Sequence, residues 1–285
     1  MKKLTLATAI VVALSFNAQA ANVWDNDADV ELDRANNVRV SVQQITSGVA
    51  SDNEVDVFYK GADGGSSYIY QDGDRNDISV EVTARSDRNT ISALQTGDDN
   101  EANIDVDDKS DGNTVWSNQI GNNNESDIEI VGSSDLNSTS ISQTGDTNEA
   151  YFDMARSDRN TASITQVGDS NDADIDMEDS HRNQISITQT GVNNEANVET
   201  DWAYDSSVLI SQGNGANDAD NQADVDLYDS WGDTVYISQT QSDSIAEVSL
   251  FSTGGNTVTT IQNHNDLANV QVTRSNGSTV YINQD

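Results

Sequence analysis

The sequence predicts an all-β chain, a parallel β-solenoid of about ten strand-turn-strand layers around a two-sheet core. Three observations lead there. Apolar and polar residues alternate, as in residues 183–200 (NQISITQTGVNNEANVET), the period-two mark of a strand with one buried face. The unit recurs: Gln44, Gln71, Gln95, Gln119, Gln143, Gln166, Gln189, Gln212, Gln239, Gln262 and Gln284 stand 27, 24, 24, 24, 23, 23, 23, 27, 23 and 22 residues apart. Such a period signals a stacked array. Like residues also persist in columns from one repeat to the next. A lone strand-turn-strand unit is too small to fold, so each must lean on its neighbours.

Taken in order, residues 1–20 read as an export leader. Lys2 and Lys3 precede an apolar run over residues 4–16, and Ala18-Gln19-Ala20 has the small-x-small form of a signal peptidase site. The run is too short to cross a membrane, and no later stretch approaches that length, so the mature chain is expected to lack a transmembrane segment. Residues 21–36 are an N-terminal segment holding half a repeat: Asn26, Ala28, Val30 and Leu32 match a second strand with no first strand before it. The repeat array fills residues 37–285. It ends on another half, Ser278, Val280, Ile282 and Gln284, which match a first strand. The two intervals of 27 place extra residues at 46–52 and 213–220, in the turn after the Gln, where a stacked coil tolerates a bulge.

The columns define the core. Four residues before the Gln stand Val40, Ile91, Val115, Ile185, Val208, Val235, Val258 and Val280, with Ser67, Thr139 and Ala162 as small exceptions. Two before it stand Val42, Ile69, Ile141, Ile164, Ile187, Ile210, Ile237 and Ile282. The second strand offers a small column (Ala28, Ala102, Ala150, Ala173, Ala196, Ala223, Ala246), then a branched one, then a large one that includes Tyr59, Met154 and Met177. The Gln and an Asn five residues later share inward parity. A buried amide without a partner is costly, and stacking solves this by bonding each amide to its copy about 4.8 Å away. Asn76, Asn100, Asn124, Asn148, Asn171 and Asn194 form one such ladder; Asn89, Asn113, Asn137, Asn160, Asn183 and Asn256 form another.

Composition excludes several classes. The chain has 13 Lys+Arg against 49 Asp+Glu; losing the leader removes two lysines and leaves 11 against 49, a net charge of −38. Nucleic-acid binding needs a cationic surface, and anionic lipid is disfavoured for the same reason. Cysteine and proline are absent, so no disulfide contributes and no residue is barred from a β ladder. Acids form outward columns: Asp77, Glu101, Glu125, Glu149, Asp172 and Glu195, then Glu81, Asp105, Glu129, Asp153, Asp176, Glu199 and Asp226. Two charges about 4.8 Å apart in water repel by roughly 0.9 kcal/mol before screening. Stacking against this repulsion is therefore expected to quicken as pH falls towards about 4 or salt rises.

No catalytic residue, metal site or cofactor is proposed. The oxygen-rich Asp72–Asp77 stretch lacks the spacing of an EF-hand. His181 and His264 fall in different layers and pair with no nucleophile. Trp24, Trp116, Trp202 and Trp231 fall outside the inward columns. Arg85, Arg88, Arg156, Arg159 and Arg182 lie in inter-repeat turns, where they are expected to offset acids.

The repeat reads N/S-x5-Q-x-G-x2-N-x-A, as in residues 89–102, 137–150, 160–173 and 183–196. It resembles the curlin repeat, S-x5-Q-x-G-x2-N-x-A-x3-Q, of the curli subunits, over nearly all of residues 26–285. The resemblance implies a functional amyloid, exported through the periplasm and an outer-membrane curli secretion pore. At the cell surface it would polymerise into fibres of biofilm matrix and cell adhesion. The implied partners are further copies of the chain and a second curlin-type subunit. Departures are visible too. The second Gln is replaced by Val106, Ile130, Met154 and Met177, and Asn replaces Ser at most repeat starts. The glycine-rich N-terminal segment of the major subunit is missing, and residues 143–152 (QTGDTNEAYF) look more like the minor, nucleating subunit.

The expected function is that of a non-enzymatic structural subunit, extended by templated strand addition in which residues 278–284 receive residues 26–32 of the next copy. The alternative is a monomeric acidic surface module that binds cations, glycans or ice.

Overall fold

Alternation does dictate strands, and the strands stack in the register of the repeat. The computed structural model describes residues 11–18, 26–46, 52–213, 219–229, 231–251 and 254–284. The extra residues 47–51 and 214–218, residues 1–10 and 19–20 of the expected leader, and Trp24 lie outside them.

The strands are β1 (Val11–Ala18), β2 (Asp27–Asp33), β3 (Arg39–Thr46), β4 (Glu54–Lys60), β5 (Ser66–Asp72), β6 (Asp77–Val80) and β7 (Thr90–Thr96). There follow β8 (Glu101–Asn103), β9 (Thr114–Ile120), β10 (Glu125–Ser126), β11 (Ser138–Thr144), β12 (Glu149–Ala150), β13 (Thr161–Asp169) and β14 (Asp172–Ala173). Next come β15 (Gln184–Val192), β16 (Glu195–Ala196), β17 (Ser207–Gln212), β18 (Gln222–Ala223) and β19 (Thr234–Gln239). β20 (Ile245–Glu247), β21 (Thr257–Gln262), β22 (Leu267–Asn269) and β23 (Thr279–Gln284) complete the order. Odd strands form one parallel sheet of 12 and even strands another of 11. The result is an all-β solenoid of about ten turns, with no helix among the described residues.

Register follows the columns. Gln95 pairs with Gln119, Gln143 with Gln166, and Gln212 with Gln239. The second pairing of a 27-residue interval is as regular as the rest, so the added residues leave the strands undisturbed. One core runs the length of the molecule, and both predicted apolar columns of the first sheet lie in it. Small and large residues compensate within it. Tyr59 is fully buried, Ser67 is the small exception beside it, and Tyr59 Oη lies 2.6 Å from Ser67 Oγ. Burial pushes the Tyr59 phenol up to about 12.

The second sheet is narrower than the first: β10, β12, β14, β16 and β18 have two residues each. Outward acids turn onto their own backbone just beyond β8, β12 and β14. Asp105 Oδ1 accepts from the Val106 and Asp107 N–H groups, Asp153 Oδ1 from Met154 and Ala155, and Asp176 Oδ1 from Met177. Side chains that bond their own backbone divert it from the ladder.

The turn after the Gln is closed by glycine. A Cβ on Gly121 would lie 1.9 Å from the Gly145 carbonyl oxygen, and Gly121 has φ 125°. Stacked turns approach one another here more closely than any side chain allows. The other turn carries an inward hydroxyl column that alternation does not reveal. Ser110 Oγ donates to Val131 O (2.6 Å), Ser134 Oγ to Met154 O (3.0 Å) and Ser157 Oγ to Met177 O (2.9 Å).

The first 20 residues give a difference from expectation. An export leader is expected to stand outside the repeat array, yet in the full chain β1 adds a strand to the first sheet, beside β3.

Candidate functional site: the amide ladder and its open ends

All eleven glutamines join one continuous ladder. Each Nε2 donates to the Oε1 one layer towards the C-terminus, at 2.9 to 3.3 Å, from Gln44–Gln71 to Gln262–Gln284. The second amide hydrogen is also used: Gln143 Nε2 reaches Glu125 O (2.7 Å) and Asn148 O (2.9 Å), backbone carbonyls of the facing strand and turn. A buried row of primary amides is thus satisfied along the axis and across the layer.

The Asn ladder runs the other way. Asn100, Asn124, Asn148, Asn171 and Asn194 each donate Nδ2 to the Oδ1 of the preceding layer, at 2.8 to 3.0 Å, the first of them to Asn76. Two members escaped the sequence reading. Asn53 accepts from Asn76 (3.2 Å) and Asn221 donates to Asn194 (2.8 Å). The extra residues move both from five to nine places after the Gln, so a fixed spacing misses them.

The second Asn column differs in kind. Asn113 and Asn183 donate their backbone N–H to the preceding Oδ1 (2.8 Å each), while Asn113 Nδ2 turns to Ser134 O (2.6 Å). It pins turns; it is not an amide-to-amide ladder. Other residues stand in this column in several layers, among them Ser206, Asp233 and Ser278; Asp233 is fully buried, and its Oδ2 has no partner.

The outermost layers among the described residues are less buried than those inside. Ala28, Val30 and Leu32 at one end, and Val272, Val280 and Ile282 at the other, are only half-buried, whereas their equivalents inside are sealed. Among the described residues β2 and β22 are the terminal strands of the second sheet, and β23 is the last of the first. Gln284 Nε2 donates to Leu267 O (3.0 Å) and to no further Gln. At the opposite end Gln44 Oε1 is buried with no donor.

The outer face of the second sheet is acidic through most of its length, and Asp77, Asp127, Asp172, Asp174 and Asp176 on it are held above the ordinary carboxylate range. For Asp77, Asp127, Asp172 and Asp174 the first cause is loss of solvent, followed by neighbouring carboxylates. Asp176 is pushed up to about 6 by burial, then by Asp153, Asp174, Glu199 and Glu178. The columns stop before the C-terminal end. Where Asp27, Asp29 and Glu31 begin them, Leu267, Asn269 and Gln271 stand at the matching places of the last layer.

Arginines answer only some of this charge. Arg75 pairs with Asp99 (2.5 Å), Arg156 with Glu178 and Asp179 (3.1 Å each) and Arg182 with Asp205 (2.6 Å), while Arg85, Arg88 and Arg159 form no ion pair among the described residues. His181 packs at a tilt against Tyr204 with ring centroids 5.0 Å apart, Tyr204 packs likewise against Trp231 at 5.5 Å, and His264 is exposed in another turn. Trp202 and Trp231 are exposed, and Trp116 is half-buried on the outer side.

Compared with known proteins, the chain matches no protein-family model and no curated protein.

Proposed function

We propose that this chain is a secreted, non-enzymatic subunit that joins end to end into curli-like extracellular amyloid fibres serving biofilm matrix and cell adhesion. The observation that carries this reading is the fit between the two ends. Set β2 of one copy after β23 of another and the layers continue without a break: β22, β23, then β2, β3. Half-buried Ala28, Val30 and Leu32 meet half-buried Val280, Ile282 and Val272. Gln284 meets Gln44, donor against acceptor. Charge favours the same polarity, since Asp27, Asp29 and Glu31 of one copy come to lie on neutral Leu267, Asn269 and Gln271 of the other. Side-by-side packing would instead bring carboxylates together, which costs energy at low salt. Open parallel edges recruit further strands, and identical layers make them self-complementary in register.

The curlin-like repeat supports export through an outer-membrane secretion pore and assembly with a second curlin-type subunit. The test is deletion of residues 278–285 followed by thioflavin fluorescence. Growth should stall, because β23 and Gln284 are lost from the joint. Unchanged kinetics would refute end-to-end docking. A stable monomer after days at high salt would favour a binding module instead.

A further inference from the structure

In the full chain the N-terminal edge of the first sheet is covered. β1 lies parallel to β3, with Val12 opposite Val40, Leu14 opposite Val42 and Phe16 opposite Gln44. β23 lies on β21 in the same fashion, with Val280 opposite Val258, Ile282 opposite Thr260 and Gln284 opposite Gln262. On β3, then, β1 occupies the place that β23 of a second copy takes in the joint, and it repeats the branched apolar residues of that strand. One position differs. Where the other layers set Gln against Gln, β1 brings Phe16, a residue type with no side-chain donor. Gln44 Oε1 is left buried and unpartnered, while Gln71 Oε1 and the Oε1 of every later Gln accept from the layer before.

We infer that Val11–Ala18 is an intramolecular stand-in for β23 of a second copy, closing the N-terminal edge until the leader is removed. The inference rests on the fibre reading and adds its control. A tethered strand acts at an effective concentration of about millimolar, far above that of a second copy in dilute solution. Cleavage after Ala20 removes the tether. The incoming β23 then has two advantages: no competitor at comparable concentration, and a glutamine that supplies the donor Gln44 lacks. An uncleaved chain keeps its C-terminal edge, so it joins a fibre and stops growth at that tip.

The chain has no cysteine, so introduced thiols report cleanly. Ala13 and Ser41 are register partners; the full chain carrying Ala13→Cys and Ser41→Cys tests whether β1 is seated. A mixture of Ser41→Cys chains and Tyr281→Cys chains, each full length with a protease site after Ala20, tests docking between copies. The two positions share a column, three residues before Gln44 and Gln284. The expected result is an intrachain disulfide in the first variant before cleavage, and about ten-fold more interchain cross-linking in the mixture after cleavage than before. Absence of the intrachain disulfide, or interchain cross-linking that cleavage leaves unchanged, would overturn the inference. Thioflavin growth in the same samples separates the two claims. Cleavage-dependent cross-links without fibres sink the fibre reading and leave the plug standing. Fibres that grow as fast from uncleaved chain sink the plug alone.

Discussion

Replacing Gln143 by leucine isolates what the amide ladder contributes. Gln143 is fully buried, donates to Glu125 O, Asn148 O and Gln166 Oε1, and accepts from Gln119 Nε2 at 3.0 Å. Leucine fills much of the same space but makes none of these bonds. Gln119 keeps an acceptor in Glu101 O, at 2.8 Å, and another in Asn124 O, at 2.9 Å. Gln166 Oε1 is left buried without a donor, which costs about 1–3 kcal/mol, and each lost net bond adds about 1 kcal/mol. The extra apolar burial returns about 1–2 kcal/mol. The expected net loss is roughly 2–4 kcal/mol. The control is Gln284→Leu, where a half-buried amide donates only to Leu267 O, so the loss in a single chain should stay below about 1 kcal/mol. Urea unfolding followed by far-ultraviolet circular dichroism measures both, with the slope checked because stacked repeats depart from two-state behaviour. Equal midpoints for the two variants would refute the ladder as a source of stability.

Three further outcomes follow from the same geometry. Gly121→Ala should destabilise by more than about 2 kcal/mol, because the new Cβ meets a backbone carbonyl in the next layer; a thermal melt within error of the parent would contradict this. Asp233→Asn restores the residue type of its column and removes an unpartnered buried oxygen, so the urea midpoint should rise, by about 1–3 kcal/mol in stability; a fall would count against the column assignment. The acidic face sets the pH dependence. Asp77, Asp127, Asp172 and Asp176 bind protons more tightly folded than unfolded, so stability is lowest above their folded values and rises as pH falls from 7 towards 5. Asp176→Asn should stabilise by roughly 1 kcal/mol at pH 7, after discounting for solvent screening, and should have little effect near pH 4; a flat urea midpoint between pH 7 and 5 would show the repulsion to be negligible. Because acids meet neutral residues at the joint, pH and salt are expected to act on folding of the chain more than on elongation by folded chains.

Most of the architecture was legible because each column is written into the sequence many times. Gln, Asn and the apolar positions keep a fixed offset, so their register follows from spacing alone. The inward role of Ala93, Ser117 and Thr260, all fully buried, was hidden because these small or polar residues interrupt an isoleucine column. In this layer Ser117 Oγ finds Ser126 Oγ at 2.7 Å across the core. The serine column at Ser110, Ser134 and Ser157 sits in a turn, where strand parity does not hold, though its constant distance before the Gln was there to be read. The loss of acids at Leu267, Asn269 and Gln271 was also visible in the sequence, once the outward columns are followed to their last members. The seating of β1 on β3 was not, because the apolar run over residues 4–16 carries no repeat spacing.

The direct test of end-to-end stacking is cryo-electron microscopy of fibres grown from residues 21–285. Without β1 the first sheet holds eleven strands per copy, which at about 4.8 Å each gives an axial repeat near 53 Å. The expected map has parallel strands perpendicular to the axis, one unbroken glutamine row, and that repeat from copy to copy. Fibres with copies packed side by side, or a break in the row between Gln284 and Gln44, would contradict the account.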